Sequence, residues 1–135
     1  MIKLPRLYAI LDVWLLPGYG LPNGPTGVTP VILGGDARRS IERLLAVAEE
    51  MAAGGATLLQ YRNKSGNARQ ILEQARELKR LLGNSVKLIM NDRADLCVAA
   101  GFDGLHLGQD DLSPEDARKV TGPNLMLGIS THSLE

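Results

Sequence analysis

Apolar residues along the chain fall into two kinds of segment that alternate in strict order. The first kind is short and continuous, as expected for buried β-strands, and it occurs at residues 7–13, 57–62, 87–91, 104–107 and 126–130. The second kind has the spacing of amphipathic helices, first at Ile41, Leu44, Leu45, Ala48, Met51 and Ala52, then at Ile71, Leu72, Ala75, Leu78 and Leu82. Short apolar strands that alternate with helices predict a parallel sheet.

Residues that begin and end helices stand at the borders of these segments. Gly54-Gly55 and Gly83-Asn84 follow the two apolar stripes, and Gly101 follows a short apolar stretch at residues 93–100. Glycine after the last helical residue is a common helix stop. Ser113-Pro114 supplies a capping residue and a first-turn proline, which predicts a fourth helix.

Polar residues cluster at the ends of four predicted strands. The clusters are Gln60-Tyr61-Arg62-Asn63-Lys64, Asn91-Asp92-Arg93, Gly108-Gln109-Asp110-Asp111 and Gly128-Ile129-Ser130-Thr131-His132. A doubly wound sheet gathers its site at one switch point and often has a Gly-rich fingerprint after the first strand, which this chain lacks. Binding residues at the ends of many strands instead predict a TIM (β/α)8 barrel.

The length of the chain limits how much of a barrel it can form. Eight βα units need roughly 200 residues or more, whereas this sequence has 135. We therefore expect residues 1–135 to form a single partial TIM-barrel domain, truncated after about the fifth strand. Residues 14–38 are rich in Pro and Gly and predict a long loop inserted after the first strand. Two explanations of this loop are about equally good: it forms a lid over the end of the barrel that carries the binding residues, or it is an insertion that the fold tolerates.

The composition of the chain limits which binding partners and which cellular location are expected. Lys plus Arg and Asp plus Glu both number 15, so no surface for nucleic acid is expected. Signal-peptide features and membrane-length apolar runs are absent from the sequence, and we expect a cytoplasmic location. The single cysteine, Cys97, excludes an intrachain disulfide, and we interpret it as a small buried helix residue.

The cluster after the second strand has the chemistry of a phosphate site. Gln60 and Arg62 share one face of the strand because side chains alternate, and Lys64 follows the strand end. An amide, a guanidinium fork and a point charge suit a ligand with phosphates. A loop with solvated charges is the alternative.

Two carboxylates at neighbouring strand ends form a candidate metal site. Asp92 precedes a helix, so on its own it is better explained as an N-cap. Asp110-Asp111 is different, because Ser113 already caps the next helix and leaves at least one of these two carboxylates without a structural role. Two carboxylates at adjacent strand ends can hold a magnesium ion that keeps most of its waters and binds substrate phosphates.

The end of the fifth strand offers further polar groups. Ser130 and Thr131 could bind phosphate or a ring substituent, and His132 could act as a general acid or base. His106 lies within the fourth strand, and we interpret it as a hydrogen-bonded core histidine.

Five motifs in series resemble those of the thiamine-phosphate synthase family. They are Leu7-Tyr8-Ala9-Ile10-Leu11-Asp12, Gln60-Tyr61-Arg62-Asn63-Lys64, Asn91-Asp92-Arg93-Ala94-Asp95-Leu96, Gly104-Leu105-His106-Leu107-Gly108-Gln109-Asp110-Asp111-Leu112 and Gly128-Ile129-Ser130-Thr131-His132-Ser133. The resemblance implies a TIM-barrel transferase of thiamine biosynthesis. It would join 4-amino-5-hydroxymethyl-2-methylpyrimidine diphosphate to 4-methyl-5-(2-phosphooxyethyl)thiazole, release pyrophosphate and give thiamine monophosphate, with magnesium as cofactor.

The resemblance also implies roles for individual residues. Gln60, Arg62, Lys64 and Asn91 would hold the pyrimidine diphosphate, and Ser130 would contact the pyrimidine. Asp92 and Asp111 would hold magnesium.

The chain departs from the family pattern in two ways. The loop at residues 14–38 is longer than usual, and everything after the fifth strand is missing, including the family's sixth-strand lysine and thiazole-phosphate loops. We therefore expect the 135-residue chain alone to be inactive. We expect it to be a fragment of a longer protein or to associate, as a homo-oligomer or otherwise, through exposed sheet edges.

Two other functions stay open beside the synthase. A thiazole tautomerase of the same fold would use a histidine at the position of His132 to move a proton. The presence of both Asp92 and Asp111 disfavours it, because proton transfer has no diphosphate leaving group that requires magnesium. A non-catalytic phosphate-ligand-binding fragment is the third hypothesis.

Overall fold

The computed structural model describes residues 7–16 and 34–130. Five strands alternate with four helices in this part of the chain. In chain order the elements are β1 (Tyr8–Asp12), a 3₁₀ helix (Val13–Leu15), α1 (Gly34–Ala53), β2 (Leu58–Arg62), α2 (Ala68–Leu82), β3 (Lys87–Asn91), α3 (Ala94–Ala100), β4 (Gly104–Leu107), α4 (Pro114–Thr121) and β5 (Met126–Ile129). The predicted order of strands and helices is confirmed.

The strands form one parallel sheet in the order β1-β2-β3-β4-β5. Each strand therefore pairs with its neighbour in sequence, as in the wall of a barrel, and the order never reverses as it does in a doubly wound sheet. This architecture confirms the prediction of a partial TIM barrel. Because the strands are parallel, their carboxyl ends lie along one edge of the sheet.

The core lies between the sheet and the helices. On the three central strands every second residue faces the helices and is fully buried, for example Leu59 and Tyr61 on β2 and Leu88 and Met90 on β3. The intervening residues face the opposite, inner side, which in a closed barrel would be the interior. Tyr8, Gln60 and Arg62 are on that inner side.

The ends of the helices agree with the sequence signals. The Ser113 hydroxyl accepts a hydrogen bond from the Asp116 backbone N–H at 3.1 Å, which caps α4. Gly101 ends α3 in the left-handed region with φ 71°, where glycine avoids the strain of a side chain. Asn67 and Gln70 form a capping box at the start of α2, a feature that the apolar pattern did not indicate.

The predicted loop at residues 14–38 falls mostly outside the described residues. At its borders, Val13–Leu15 form the 3₁₀ helix, and α1 begins at Gly34, five positions inside the predicted loop. The Arg38 Nε lies 3.6 Å from Glu42 Oε1, one helical turn later. An ion pair at this spacing favours a helix, and it lies before the apolar stripe of α1 begins. No helix in residues 7–16 and 34–130 is long and apolar enough to cross a membrane.

Two leucines of α2 give a test of where the core lies. The Leu78 side chain is fully buried, whereas Leu81 is 40% exposed on the same helix. Leu78→Ala is expected to lower the free energy of unfolding by about 2–5 kcal/mol, because it removes buried apolar area and leaves a cavity. Leu81→Ala is expected to lower it by less than about 1 kcal/mol, since much of the side chain is already in water. Urea unfolding measures both, and equal losses would contradict this packing.

Candidate functional site

Three charged side chains meet where β2, β3 and β4 end. The Lys64 Nζ donates a hydrogen bond to Asp92 Oδ2 at 2.5 Å, and the Asp92 and Asp111 side chains are close enough for each to shift the pKa of the other. We call this group the Lys64–Asp92–Asp111 cluster. It brings together three of the residues that the sequence predicted for substrate and metal binding.

Asp92 has a backbone conformation that few residues adopt. Its φ of 65° lies in the left-handed region, which Asp and Asn tolerate better than most side chains. Its N–H donates to the His106 carbonyl oxygen at 2.8 Å, so β4 holds the turn in place. The N-cap of α3 is Arg93. The interpretation of Asp92 as an N-cap is therefore wrong, because the turn directs its carboxylate to Lys64 instead.

Asp111 is held by the loop that follows β4. Its Oδ2 accepts a hydrogen bond from the Gly108 backbone N–H at 2.6 Å. Ser113 caps α4, so Asp111 has no capping role. The neighbouring Asp110 is exposed. Of the two consecutive acids, only Asp111 reaches the cluster.

The two carboxylates influence each other's protonation. Partial burial alone would raise the pKa of Asp92, but the interactions with Asp111 and Lys64 outweigh it and hold that pKa below its usual value. Partial burial and the adjacent Asp92 carboxylate raise the pKa of Asp111. Two carboxyl groups in contact require a shared proton or a cation between them. The pair therefore has the chemistry of a cation site.

A divalent ion at this pair would need ligands from elsewhere. In the part of the chain that the structure describes, no three His, Cys, Asp or Glu side chains come together as a metal site. Magnesium fits a pair of this kind, because it commonly binds one or two carboxylates and completes its shell with water and substrate phosphates.

Arg62 lies beside the cluster and has its own carboxylate partner. Its Nη1 donates to Asp12 Oδ2, and the two residues are opposite each other in the register of β1 and β2. The positive charge of Arg62 also contributes to the low pKa of Asp92. Asp12 was not among the predicted site residues, although it ends a strand in the first of the five motifs.

The inner face next to these charges carries two amides. Gln60 is only 4% exposed, and its Nε2 donates to the Tyr8 hydroxyl at 2.5 Å. Asn91 is half-buried at the end of β3, opposite His106 in the adjacent strand. Both amides lie on the same side of the sheet as Arg62. The structure thus brings together the predicted substrate-binding residues of β2 and β3.

Ser130 lies farther along the same sheet edge. Its hydroxyl is 2.6 Å from His106 Nε2, and its backbone N–H donates to the Leu107 carbonyl oxygen at 2.9 Å. His106 is hydrogen-bonded, as predicted, but it is half-buried on the inner face instead of packed in the core. His132 lies outside the described residues, so its predicted role stays a prediction.

An apolar cavity adjoins these polar groups. It has a volume of about 350 Å³ on the inner side of the sheet. Its lining is largely hydrophobic and includes Tyr8, Leu58, Ile89, His106, Met126 and Gly128. An apolar cavity beside a few polar groups is typical of a site for a small organic ligand.

Cys97 is a small buried residue of a helix, as predicted. It is fully buried in α3, and its Sγ donates to the Gly104 carbonyl oxygen at 3.1 Å. Burial raises the pKa of the thiol to about 12, so almost no thiolate is present at neutral pH. We expect negligible alkylation of the folded protein by iodoacetamide at pH 8 and complete alkylation in guanidinium chloride, measured by mass. Equally rapid alkylation in both conditions would contradict the burial of this thiol.

Comparisons with known proteins give a consistent result. A model of the family described as "Thiamine monophosphate synthase" matches residues 31–135. A thiamine-phosphate synthase from Koribacter versatilis is 52% identical over 134 residues, which are 99% of this chain and 54% of the relative. Another from Xanthobacter autotrophicus is 50% identical over 88 residues, which are 64% of this chain and 42% of the relative.

A solved structure extends the likeness to three dimensions. The thiamine phosphate pyrophosphorylase from Pyrococcus furiosus superimposes with a TM-score of 0.64 at 32% sequence identity, covering 71% of this chain and 48% of that protein. The chain spans about half the length of the relatives that it matches. The extent of the family match, together with the identity to these synthases, shows that the chain belongs to the thiamine monophosphate synthase family.

Proposed function

We propose that the native protein is a thiamine-phosphate synthase. By native protein we mean this sequence together with whatever chain segment covers its open sheet edges. The reaction joins 4-amino-5-hydroxymethyl-2-methylpyrimidine diphosphate to 4-methyl-5-(2-phosphooxyethyl)thiazole and gives thiamine monophosphate and pyrophosphate. The observation that carries the proposal is the Lys64–Asp92–Asp111 cluster beside Arg62. Two positively charged side chains and two carboxylates lie together there, next to an apolar cavity.

The reaction needs a group that stabilises a departing diphosphate. The bond between the pyrimidine methylene carbon and the diphosphate oxygen breaks, and its electron pair leaves with pyrophosphate. The pyrimidine cation that remains accepts the lone pair of the thiazole nitrogen, which forms the new carbon–nitrogen bond. Arg62 offers a guanidinium fork and Lys64 a point charge to the leaving phosphates. Both already have carboxylate partners, which hold them at the rim before the ligand arrives.

Asp92 and Asp111 are the proposed ligands of magnesium. Their contact and their opposite pKa shifts support this assignment, because a cation would replace the proton that they otherwise share. Bound magnesium would supply positive charge to the diphosphate. The turn at Asp92 and the Gly108 hydrogen bond to Asp111 orient the two carboxylates in advance.

The remaining predicted residues have positions that suit the pyrimidine end of the substrate. Gln60 and Asn91 lie on the inner face beside the charges, and Ser130 lies farther along the same sheet edge beside His106, which lines the apolar cavity. We assign these three residues to substrate binding. A cytoplasmic location belongs to the same proposal, because both substrates carry phosphate charge and do not cross membranes unaided.

We further infer that other strands cover the two edges of this sheet in the native protein. β1 and β5 each pair with one neighbour within the described residues, and Ile10 and Tyr8 expose large apolar area on the inner face. Open edges and exposed apolar surface favour association. We expect a native mass well above that of 135 residues. A monomeric, cooperatively folded 135-residue chain would contradict the inference.

Product analysis tests the proposed activity. The native protein is incubated with both substrates, with and without magnesium, and the products are identified by mass spectrometry. We expect thiamine monophosphate and equimolar pyrophosphate, both dependent on magnesium. Isomerisation of the thiazole without pyrophosphate would indicate the tautomerase instead. Binding of the pyrimidine diphosphate without turnover would indicate a non-catalytic binding protein, and either result would refute the proposal.

A further inference from the structure

Two polar side chains meet in the apolar layer between the sheet and the helices. Tyr61 on β2 is 1% exposed, and Gln74 on α2 is 5% exposed. The Tyr61 hydroxyl donates a hydrogen bond to Gln74 Oε1 at 2.5 Å. Polar groups in an apolar layer cost free energy unless they are hydrogen-bonded. Both residues lie on the helix side of the sheet, away from the proposed reaction, so the pair needs another explanation.

Asn63 connects this buried pair to the loop that follows β2. Its Nδ2 lies 3.2 Å from both the Tyr61 hydroxyl and Gln74 Oε1 and donates to them. Its Oδ1 accepts from the backbone N–H groups of Gly66 at 2.8 Å and Ser65 at 3.2 Å. Backbone N–H groups can only donate, so they require the oxygen of the Asn63 amide on the loop side and leave its nitrogen facing the pair.

The loop that Asn63 closes contains Lys64. Lys64 lies between Asn63 and the two residues whose N–H groups donate to Asn63 Oδ1, so side chain and main chain form a ring around it. An asparagine that accepts from the main chain two and three residues later replaces a backbone turn. The ring fixes the direction in which the Lys64 side chain leaves the main chain. That side chain is itself 52% exposed, so packing contributes little to its position.

Gly66 makes room for this arrangement. A Cβ atom added at Gly66 would lie 2.6 Å from Asn63 Nδ2 and 3.1 Å from Asn63 Oδ1. The first distance is far inside van der Waals contact. The Asn63 side chain would therefore have to leave either the buried pair or the loop. The lack of a side chain at Gly66 thus allows Asn63 to contact both.

We propose that Asn63 is a positioning residue for Lys64. It anchors the loop after β2 to the buried Tyr61–Gln74 pair and so fixes the point at which Lys64 presents its charge. The inference rests on the proposed function, since it concerns a cation that would face the departing diphosphate. Asn63 acts only through Lys64, and the Tyr61–Gln74 pair is the fixed point to which it is tied.

The test measures kcat for magnesium-dependent pyrophosphate release by the native protein and its variants. We expect Asn63→Ala to lower kcat roughly 10-fold, less than the 100-fold or so that a 1 Å misplacement can cost. In a Lys64→Gln background the same substitution should lower kcat no further, because Asn63 acts only through the lysine.

Gly66→Ala tests the same contact from the other side. The added methyl group would displace the Asn63 side chain, so this variant should also lower kcat roughly 10-fold. In an Asn63→Ala background it should have a much smaller effect, because the amide with which the methyl group collides is gone. Equal effects of Gly66→Ala in both backgrounds would overturn the proposal.

Asn67→Ala separates positioning from a general loss of stability. Asn67 Oδ1 accepts from the Gln70 backbone N–H at 2.9 Å and caps α2, so its loss destabilises the same region. We expect Asn63→Ala and Asn67→Ala both to lower the melting temperature, and only Asn63→Ala to lower kcat at a temperature where both variants are folded. A similar loss of kcat in Asn67→Ala would overturn the positioning role.

The outcomes also distinguish this inference from the proposed function. If the unmodified protein releases pyrophosphate and Asn63→Ala keeps its kcat, or lowers kcat equally in the Lys64→Gln background, the positioning role is overturned while the synthase proposal stands. If the unmodified protein releases no pyrophosphate from both substrates, both fail. A loss of kcat in Asn63→Ala that disappears in the Lys64→Gln background supports the role of Asn63.

Discussion

Replacing Asp111 by asparagine is expected to slow magnesium-dependent pyrophosphate release roughly 100- to 1,000-fold. Asparagine keeps the size of the side chain and an oxygen that can accept the Gly108 N–H bond, so the loop after β4 should remain in place. It removes one of the two charges that would hold magnesium. A metal ion contributes several kcal/mol of charge stabilisation in a transition state. Each loss of about 1.36 kcal/mol of that stabilisation lowers the rate tenfold.

Asp92→Asn should have an effect of similar size for the same reason. Asparagine tolerates the left-handed backbone at this position much as aspartate does, so the turn should survive. Higher magnesium concentrations should recover part of the lost activity in both variants. The rate of pyrophosphate release as a function of magnesium concentration measures this.

Asp110 provides the matched control. Asp110→Asn makes the same change of charge one residue away, at an exposed side chain. We expect it to retain activity within about twofold, as is usual for surface substitutions away from a site. If Asp110→Asn lowered activity as much as Asp111→Asn does, a general loss of negative charge would explain both and the metal assignment would fail.

Lys64→Gln is expected to lower kcat/KM for the pyrimidine diphosphate roughly 100-fold. In the proposed reaction Lys64 would offer positive charge to the leaving phosphates, and removing one charge-stabilising donor from such a site typically costs about 2.7–4 kcal/mol. The substitution also leaves Asp92 without the partner that now holds it at 2.5 Å. Steady-state kinetics at saturating magnesium measure the effect, and the loss should appear mainly in kcat if the charge acts on the transition state.

Lys87→Gln is the control for that substitution. Lys87 begins β3 at the amino-terminal edge of the sheet, where it lies 3.9 Å from Asp103. It has the same charge and a similarly exposed side chain, but it lies at the opposite end of the strands from the cluster. Its replacement should leave kcat/KM unchanged within about twofold. A comparable loss in both variants would show that net charge, and not the position of Lys64, matters.

The arrangement of strands and helices was predictable from sequence because two simple periodicities determine it. Apolar stripes such as that of α2 and apolar runs such as β3 identify the elements. Glycine at the end of α3 and serine before α4 mark their borders. The start of α1 was harder to predict, since its first turns carry no apolar stripe. An ion pair between Arg38 and Glu42 within those turns gives only a weak sequence signal.

The site was predictable in its components but less so in its contacts. The ends of parallel strands meet at one edge of a sheet, so the order of the strands is enough to group Lys64, Asp92 and Asp111. The left-handed turn at Asp92 could not be foreseen, because Asp before a helix usually indicates an N-cap. Likewise, the pairing of Arg62 with Asp12 depends on the register between β1 and β2.

The most direct test of this diphosphate site is a crystal structure of the native protein with magnesium and pyrophosphate. We expect a metal ion between Asp92 and Asp111, with the phosphates bound against Arg62 and Lys64. Pyrophosphate bound away from these four residues, or a metal ion that contacts neither carboxylate, would contradict the assignment of this strand edge as the diphosphate site.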